Sequence, residues 1–258
     1  MKRGKPRAIE LDPEIRETIE QVSARLLEQG AKATLLTGSH ARGEARPESD
    51  IDVFAVGDGP REHIEIVDGR AISVHWFAPE QARQRIQSPP HAIVSVAGWA
   101  DAVVVDDPVG VGAELQREAR AWSWERIDAE ADAFAVDELV GWAEWVHKLI
   151  AALQSERMLD AAAITNDTAL RLGRVVAIRC RVSARSENGL WEAIVKTAPL
   201  DCGEALREAL RGDDEDLRTA ARGAFRLFQC VARDVAELLD ERESAIVDHA
   251  RSAADAWC

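Results

Sequence analysis

What the chain lacks narrows its function first. It has no excess of bases: 32 Lys and Arg stand against 46 Asp and Glu, a formal net charge of -14, and both halves are acidic. Duplex DNA or a long RNA needs clustered cations to neutralise its phosphates, so no nucleic-acid partner is expected, and a small cation suits this charge better. Cysteine is scarce. The four residues Cys180, Cys202, Cys230 and Cys258 form no C-x-x-C pair and have no His at zinc-ligand spacing, so they read as free thiols in a reducing compartment. Long apolar runs are missing too. The most apolar stretch, Ala92 to Val105, is interrupted by Ser95, Gly98 and Asp101 and is too short to span a bilayer. The opening MKRGKPR is basic but is followed by polar sequence, so it reads as a frayed tail and not as a secretory signal. Neither an internal repeat nor a low-complexity linker is present. The expectation is a soluble, cytoplasmic protein without membrane contact.

What is present suits two compact halves, since 258 residues that are 47% hydrophobic can build substantial cores. Ile15, Ile19, Val22, Leu26 and Leu27 recur at helical spacing between Pro13 and Gln29, and Gly30 supplies a stop. Ala33 to Thr37 and Ile51 to Val56 read as strands around a polar loop. His63 to Val67 and Ala71 to Phe77 flank Asp68-Gly69-Arg70, a hairpin connection. From Trp124 onward alternation stops. Ala, Leu, Val, Glu and Arg dominate, with breaks near Asn166, Ser186 to Gly189, Pro199 and Gly212 to Asp214. Four or so helices of about 12 to 25 residues packed as a bundle account for this half. The fold class is α+β: a mixed sheet flanked by helices in residues 1–124, and a helical bundle in residues 125–258.

The segment that carries chemistry is Leu35-Leu36-Thr37-Gly38-Ser39-His40-Ala41-Arg42-Gly43, followed by Ser49-Asp50-Ile51-Asp52-Val53. Gly38 lets the backbone turn sharply after a strand and approach a ligand. Ser39 offers a hydroxyl and an N–H where a short helix begins, so the turn can cradle phosphate. Asp50 and Asp52 lie two apart on a strand, so their side chains leave the same face, and they repel unless a cation joins them. Mg2+ is the expected ion. A metal pair facing a phosphate-binding turn is equipment for in-line displacement at a nucleotide phosphorus. The same features taken singly are ordinary: a Gly-Ser turn is common, and an Asp-x-Asp can be a solvated strand end.

Together, with ten residues between Ser39 and Asp50, they closely resemble the Gly-Ser-x-Ala-Arg-Gly…Ser-Asp-Ile-Asp signature of the DNA polymerase β-like nucleotidyltransferase superfamily. The two-half layout resembles kanamycin nucleotidyltransferase-type enzymes. That likeness extends through Gly69 to Phe77, Pro79-Glu80, Val105 to Gly110 and Val136-Asp137-Glu138-Leu139, over about residues 30 to 150. The resemblance implies transfer of a nucleoside monophosphate, with AMP from ATP the leading choice, to a hydroxyl with release of pyrophosphate and with Mg2+ as cofactor. It implies that Gly38, Ser39, Arg42 and Ser49 hold the nucleotide, that Asp50 and Asp52 bind metal, and that the chain is a homodimer. The expected acceptor is small and cationic, such as an aminoglycoside.

Two positions depart from the superfamily pattern. A third carboxylate commonly stands where this chain has Ser73. A three-residue Asp68-Gly69-Arg70 connection would pair Glu65 with Ser73 and His63 with His75, so Glu65 could supply the metal's third acid; the plain alternative is a solvent-facing strand residue. The base that takes the acceptor's proton in the kanamycin-modifying relatives aligns with Gly141. Asp137, Gly141, Glu144 and Lys148 share one helical stripe. Glu144 is therefore the first candidate for the base and Glu138, beside Trp142 and Trp145, the second, although Glu144 with Lys148 is also an ordinary surface pair. Trp142, Trp145, Trp122 and Trp124 default to core, and Glu187 and the acid run Asp213 to Asp216 to solvated loops or caps. Two other readings are kept open: an antitoxin-like adenylyltransferase that modifies a partner protein, and a degraded nucleotide-binding module.

Overall fold

A computed structural model describes residues 12–60, 62–210 and 217–258. The basic tail, the break at Gly212 to Asp214 and the acid run Asp213 to Asp216 lie outside them. The chain forms two compact units, residues 1–123 and 124–258.

The first unit opens with α1 (Pro13–Glu28), started by Asp12, whose carboxylate accepts from Glu14 N at 2.9 Å. β1 (Ala31–Thr37), the single-turn α2 (Gly38–Arg42), β2 (Ile51–Gly57), β3 (Glu62–Val67) and β4 (Arg70–Phe77) follow. Then come α3 (Pro79–Gln87), α4 (Pro89–Asp101), β5 (Val103–Asp106) and α5 (Val111–Arg120). The sheet order is β3-β4-β2-β1-β5. β2 and β4 run parallel; every other neighbouring pair is antiparallel.

Strand alternation sorts the side chains into two faces. Ile51, Val53, Ala55, Ile72, Val74 and Trp76 pack with Ile15, Ile19, Val22 and Leu26 of α1 in one cluster. The opposite face carries Asp52, Phe54, Ser73, His75 and Phe77. There Phe54 meets Trp99 of α4 at 4.6 Å between centroids and Phe77 at 5.3 Å. The Ala92 to Val105 stretch is thus most of α4 and of β5. Among the described residues no helix is long and apolar enough to cross a membrane.

The second unit contains a 3-10 turn (Trp124–Ile127) and, among the described residues, six α-helices: α6 (Asp128–Gln154), α7 (Met158–Arg179), α8 (Leu190–Thr197), α9 (Leu200–Leu210), α10 (Leu217–Val235) and α11 (Glu241–Ala254). This exceeds the expected four or so. The break expected near Asn166 does not occur, because α7 runs through it. Thr165, Thr168, Ala169 and Leu172 bury one side of α7, and that packing outweighs the few tenths of a kcal/mol that an exposed Asn costs a helix. The chain turns instead at Glu156, which takes a left-handed φ of 55°.

The free-thiol reading also needs correction. Cys202 and Cys230 are joined as a disulfide between α9 and α10, with Cα atoms 5.6 Å apart, while Cys180 and Cys258 are free. The reason is the closeness of the two helices. A Cβ added to Gly223 of α10 would stand 2.5 Å from Ala209 N of α9, so the absence of a side chain lets one backbone touch the other.

Candidate active site

The site is built at the β1–α2 turn. Thr37, the last residue of β1, is level with Asp52 of β2, and its hydroxyl donates to Gly98 O at 3.2 Å, which ties the strand end to α4. Gly38 follows with φ +69°. A Cβ built there would lie 2.0 Å from Asp52 Oδ2 and 2.9 Å from Cγ. The turn and the carboxylate therefore touch, and only glycine leaves room for both. Gly43, also left-handed, closes α2, and Glu44 N donates to Ser39 O at 2.9 Å.

Asp52 is half-buried and Asp50 exposed. Burial pushes the Asp52 carboxyl up, and the charge of Asp50 pushes it further, while His75 and Arg42 pull it back. The two acids are thus close enough to repel and are only partly neutralised. Two neighbouring carboxylates at a strand end, one of them half-buried, fit a hard divalent cation by their oxygen chemistry.

The other expected nucleotide residues lie around this corner. Ser39 is half-exposed on the first turn of α2. The Arg42 side chain is buried and bonds Glu44 Oε2 at 2.8 Å. The Ser49 hydroxyl accepts from Arg46 N at 2.9 Å and so closes the loop before Asp50. His40, the variable residue of the motif, is held against the Ser49 backbone. Burial lowers its pKa most, followed by the Arg70 charge, and the Ser49 bond and Asp50 oppose them.

Glu65 is not on this face. The Asp68-Gly69 connection has φ +50° and +76°, both positive, as a two-residue type I′ turn requires. Arg70 therefore pairs with Val67 and does not belong to the turn, which moves the register by one and exchanges the faces. Glu65 pairs with Ile72 on the α1 side and forms an ion pair with Arg25 of α1. Ile64, level with Ser73, and Ile66 are apolar side chains left exposed on the Asp52 face. The acid that this register brings to the Asp52 face is Glu62, level with His75. Glu62 escaped the sequence reading, although an Asp-Gly pair read as a two-residue turn would have pointed to it.

Ser73 stands directly across from Asp52 on β4. Its hydroxyl lies 3.2 Å from His75 Nε2, so the position holds a hydroxyl and an imidazole where the superfamily commonly has an acid.

The candidate bases lie on α6. Glu144 is 71% exposed and pairs with Lys148 at 2.9 Å, while the Lys148 ammonium sits 4.0 Å over the Trp145 ring. Glu138 is 20% exposed, accepts from Trp142 Nε1 at 3.3 Å and lies 3.7 Å from Arg171. Asp137 is exposed, and a side chain at Gly141 would meet nothing within 4 Å. Trp142 and Trp124 are buried as core.

With this geometry in hand, residues 15–122 match the nucleotidyltransferase domain family. This segment is similar to a nucleotidyltransferase domain. Its general chemistry is transfer of a nucleoside monophosphate from an NTP, and it makes the protein a transferase. Over nearly the whole chain the fold is similar to that of a nucleotidyltransferase-like protein from Exiguobacterium sibiricum 255-15, which superposes with a TM-score of 0.53 at 9% identity, covering 94% of this chain and 89% of that one. No curated protein matches the chain in sequence.

Proposed function

We propose that the chain moves AMP from ATP, with Mg2+, to a hydroxyl of a small cationic acceptor of the aminoglycoside kind and releases pyrophosphate. In this reading it is a cytoplasmic homodimer resembling the kanamycin-modifying enzymes. Residues 1–124 form the catalytic domain, and residues 125–258 bind the acceptor and dimerise. The observation that carries the reading is the contact between Gly38 and Asp52, which sets a half-buried carboxylate directly against the glycine turn.

Asp50 and Asp52 would hold the metal, which when bound neutralises charge on the phosphate oxygens. Gly38 and Ser39 orient the polyphosphate, and Arg42, fixed by Glu44, adds positive charge at the turn. Glu144 takes the proton of the acceptor hydroxyl, with Glu138 the second choice because Trp142 and Arg171 already engage its carboxylate. The net charge of -14 favours a cationic acceptor over an anionic one.

The test incubates the protein with labelled NTPs, Mg2+ and a panel of aminoglycosides, and reads pyrophosphate and the destination of the label. The expected result is label on a small molecule, with Glu144→Gln lowering kcat about a hundredfold and leaving nucleotide affinity unchanged. Label on a co-purifying protein would move the reading to the antitoxin-like class. Ser73, a hydroxyl in the place of an acid, favours a second reading, a nucleotide-binding module; tight Mg2+-dependent ATP binding without turnover would establish it.

A further inference from the structure

Ser73, His75 and Glu62 stand in line on the Asp52 face, and nothing above uses them chemically. Ser73 Oγ lies 3.2 Å from His75 Nε2. On the other side of the ring, Nδ1 lies 3.7 Å from Glu62 Oε1. A hydroxyl in hydrogen-bond reach of an imidazole whose second nitrogen faces a carboxylate is the arrangement that activates a serine as a nucleophile. The register produces it: Glu62 is level with His75 across the β3–β4 hairpin, and Ser73 and His75 are two apart on β4.

The same register sets this trio beside the nucleotide corner. Asp52 is level with Ser73 on parallel neighbouring strands, which lie about 4.8 Å apart, and the Asp52 carboxylate abuts Gly38 at the end of β1. Serine, acid and phosphate-binding turn thus occupy three adjacent strands. Ser73 is 6% exposed, so bulk water has little access to its hydroxyl, whereas Ile64, the residue level with it on β3, is 69% exposed.

We propose that Ser73 is itself a nucleotidyl acceptor, so that the chain modifies itself. Ser73 Oγ attacks the α-phosphorus of a bound NTP, and the bond from that phosphorus to the oxygen bridging it to the β-phosphate breaks. Pyrophosphate leaves with the electron pair, and the proton of Oγ passes to His75 Nε2, where Glu62 stabilises the imidazolium. The product is a nucleoside monophosphate in phosphodiester linkage to Ser73. The proposal rests on the nucleotide-transfer reading and adds an acceptor to it.

The experiment incubates the full-length protein with ATP and Mg2+ in the absence of any acceptor and follows intact mass and pyrophosphate. Nucleotide binding is measured in parallel from the rise in melting temperature. The expected result is one added nucleoside monophosphate per chain, mapped to the peptide carrying Ser73, and absent in Ser73→Ala. His75→Gln slows adduct formation about a hundredfold while leaving the ATP-induced rise in melting temperature as it is, a pattern that loss of folding would not give. An adduct that persists in Ser73→Ala, or that maps elsewhere, overturns the proposal. No adduct in a protein that binds ATP and labels an acceptor overturns it and leaves the transfer reading standing. No adduct, no binding and no labelling overturns both.

Discussion

Two places in this molecule use glycine to bring groups closer than any side chain would allow, and they use it to opposite ends. At the α9–α10 crossing, Gly223 lets backbone reach backbone, a disulfide fastens the pair, and the acids nearby are matched. Glu208 meets Arg222 and Arg226, each at 2.9 Å, and Asp201 pairs with Arg233. At the β1–α2 turn, Gly38 makes room for a carboxylate that is half-buried and beside a second one. The first crossing has its charges neutralised by its own arginines, whereas the second leaves an excess of negative charge. Excess of that kind works against the stability of the free protein and is useful only when a cation arrives.

The sharpest break in this comparison is Asp50→Asn. If the corner exists to hold a cation, the substitution lowers Mg2+-dependent turnover about a thousandfold, a loss of several kcal/mol of charge stabilisation. The melting temperature stays the same or rises, because one of two repelling charges is gone. Turnover kinetics and a thermal melt on the same preparation check both halves, and retained turnover would remove the metal role from Asp50.

Next in size is the structural glycine. Gly223→Ala forces a methyl against the Ala209 and Glu208 backbone, with contacts of 2.5 and 2.9 Å, and costs about 2 kcal/mol in urea unfolding, as overpacking does. Gly141→Ala serves as its control. That helical position is open, so the change stabilises by up to about 1 kcal/mol. Equal effects at the two positions would mean that helix propensity, and not the close approach of α9 and α10, decides.

Much of the first unit was legible because its signals are local. α1 shows its apolar spacing, and the strands show their alternation. The Gly38-Ser39 turn and Asp50-x-Asp52 sit within a short span whose order carries the resemblance to the nucleotidyltransferase signature. Register was not legible to the same degree. Whether Arg70 belongs to the turn or to β4 depends on two backbone dihedrals, yet it decides whether Glu65 or Glu62 faces Ser73 and His75. In the second unit the breaks at Gly189 and Pro199 were visible because those residues act on the backbone directly. The uninterrupted α7 through Asn166 and the Cys202–Cys230 pairing were not, since both follow from contacts between segments distant in sequence.

The smallest effect concerns pH, and there the two regions differ in sign. The Asp52 carboxyl is raised, chiefly by burial and then by Asp50. The folded metal-free protein therefore holds that proton more tightly than the unfolded chain does. Its contribution to stability is complete below the ordinary carboxylate range and is lost as pH rises through the raised value. The Asp201 carboxyl is lowered, chiefly by its bond from Arg233. Its contribution is present above the ordinary range and is lost as pH falls through the lowered value, modestly so because the pair is exposed to solvent. In thermal melts of metal-free protein, Asp52→Asn removes part of the decline on the rising side of the carboxylate range, and Asp201→Asn removes part of the decline on the acid side. If Mg2+ occupies the folded corner, it raises the melting temperature by mass action, most where Asp52 is ionised, and the Asp52→Asn protein loses that gain. A Mg2+ effect equal in both variants would place the cation away from the Gly38 corner.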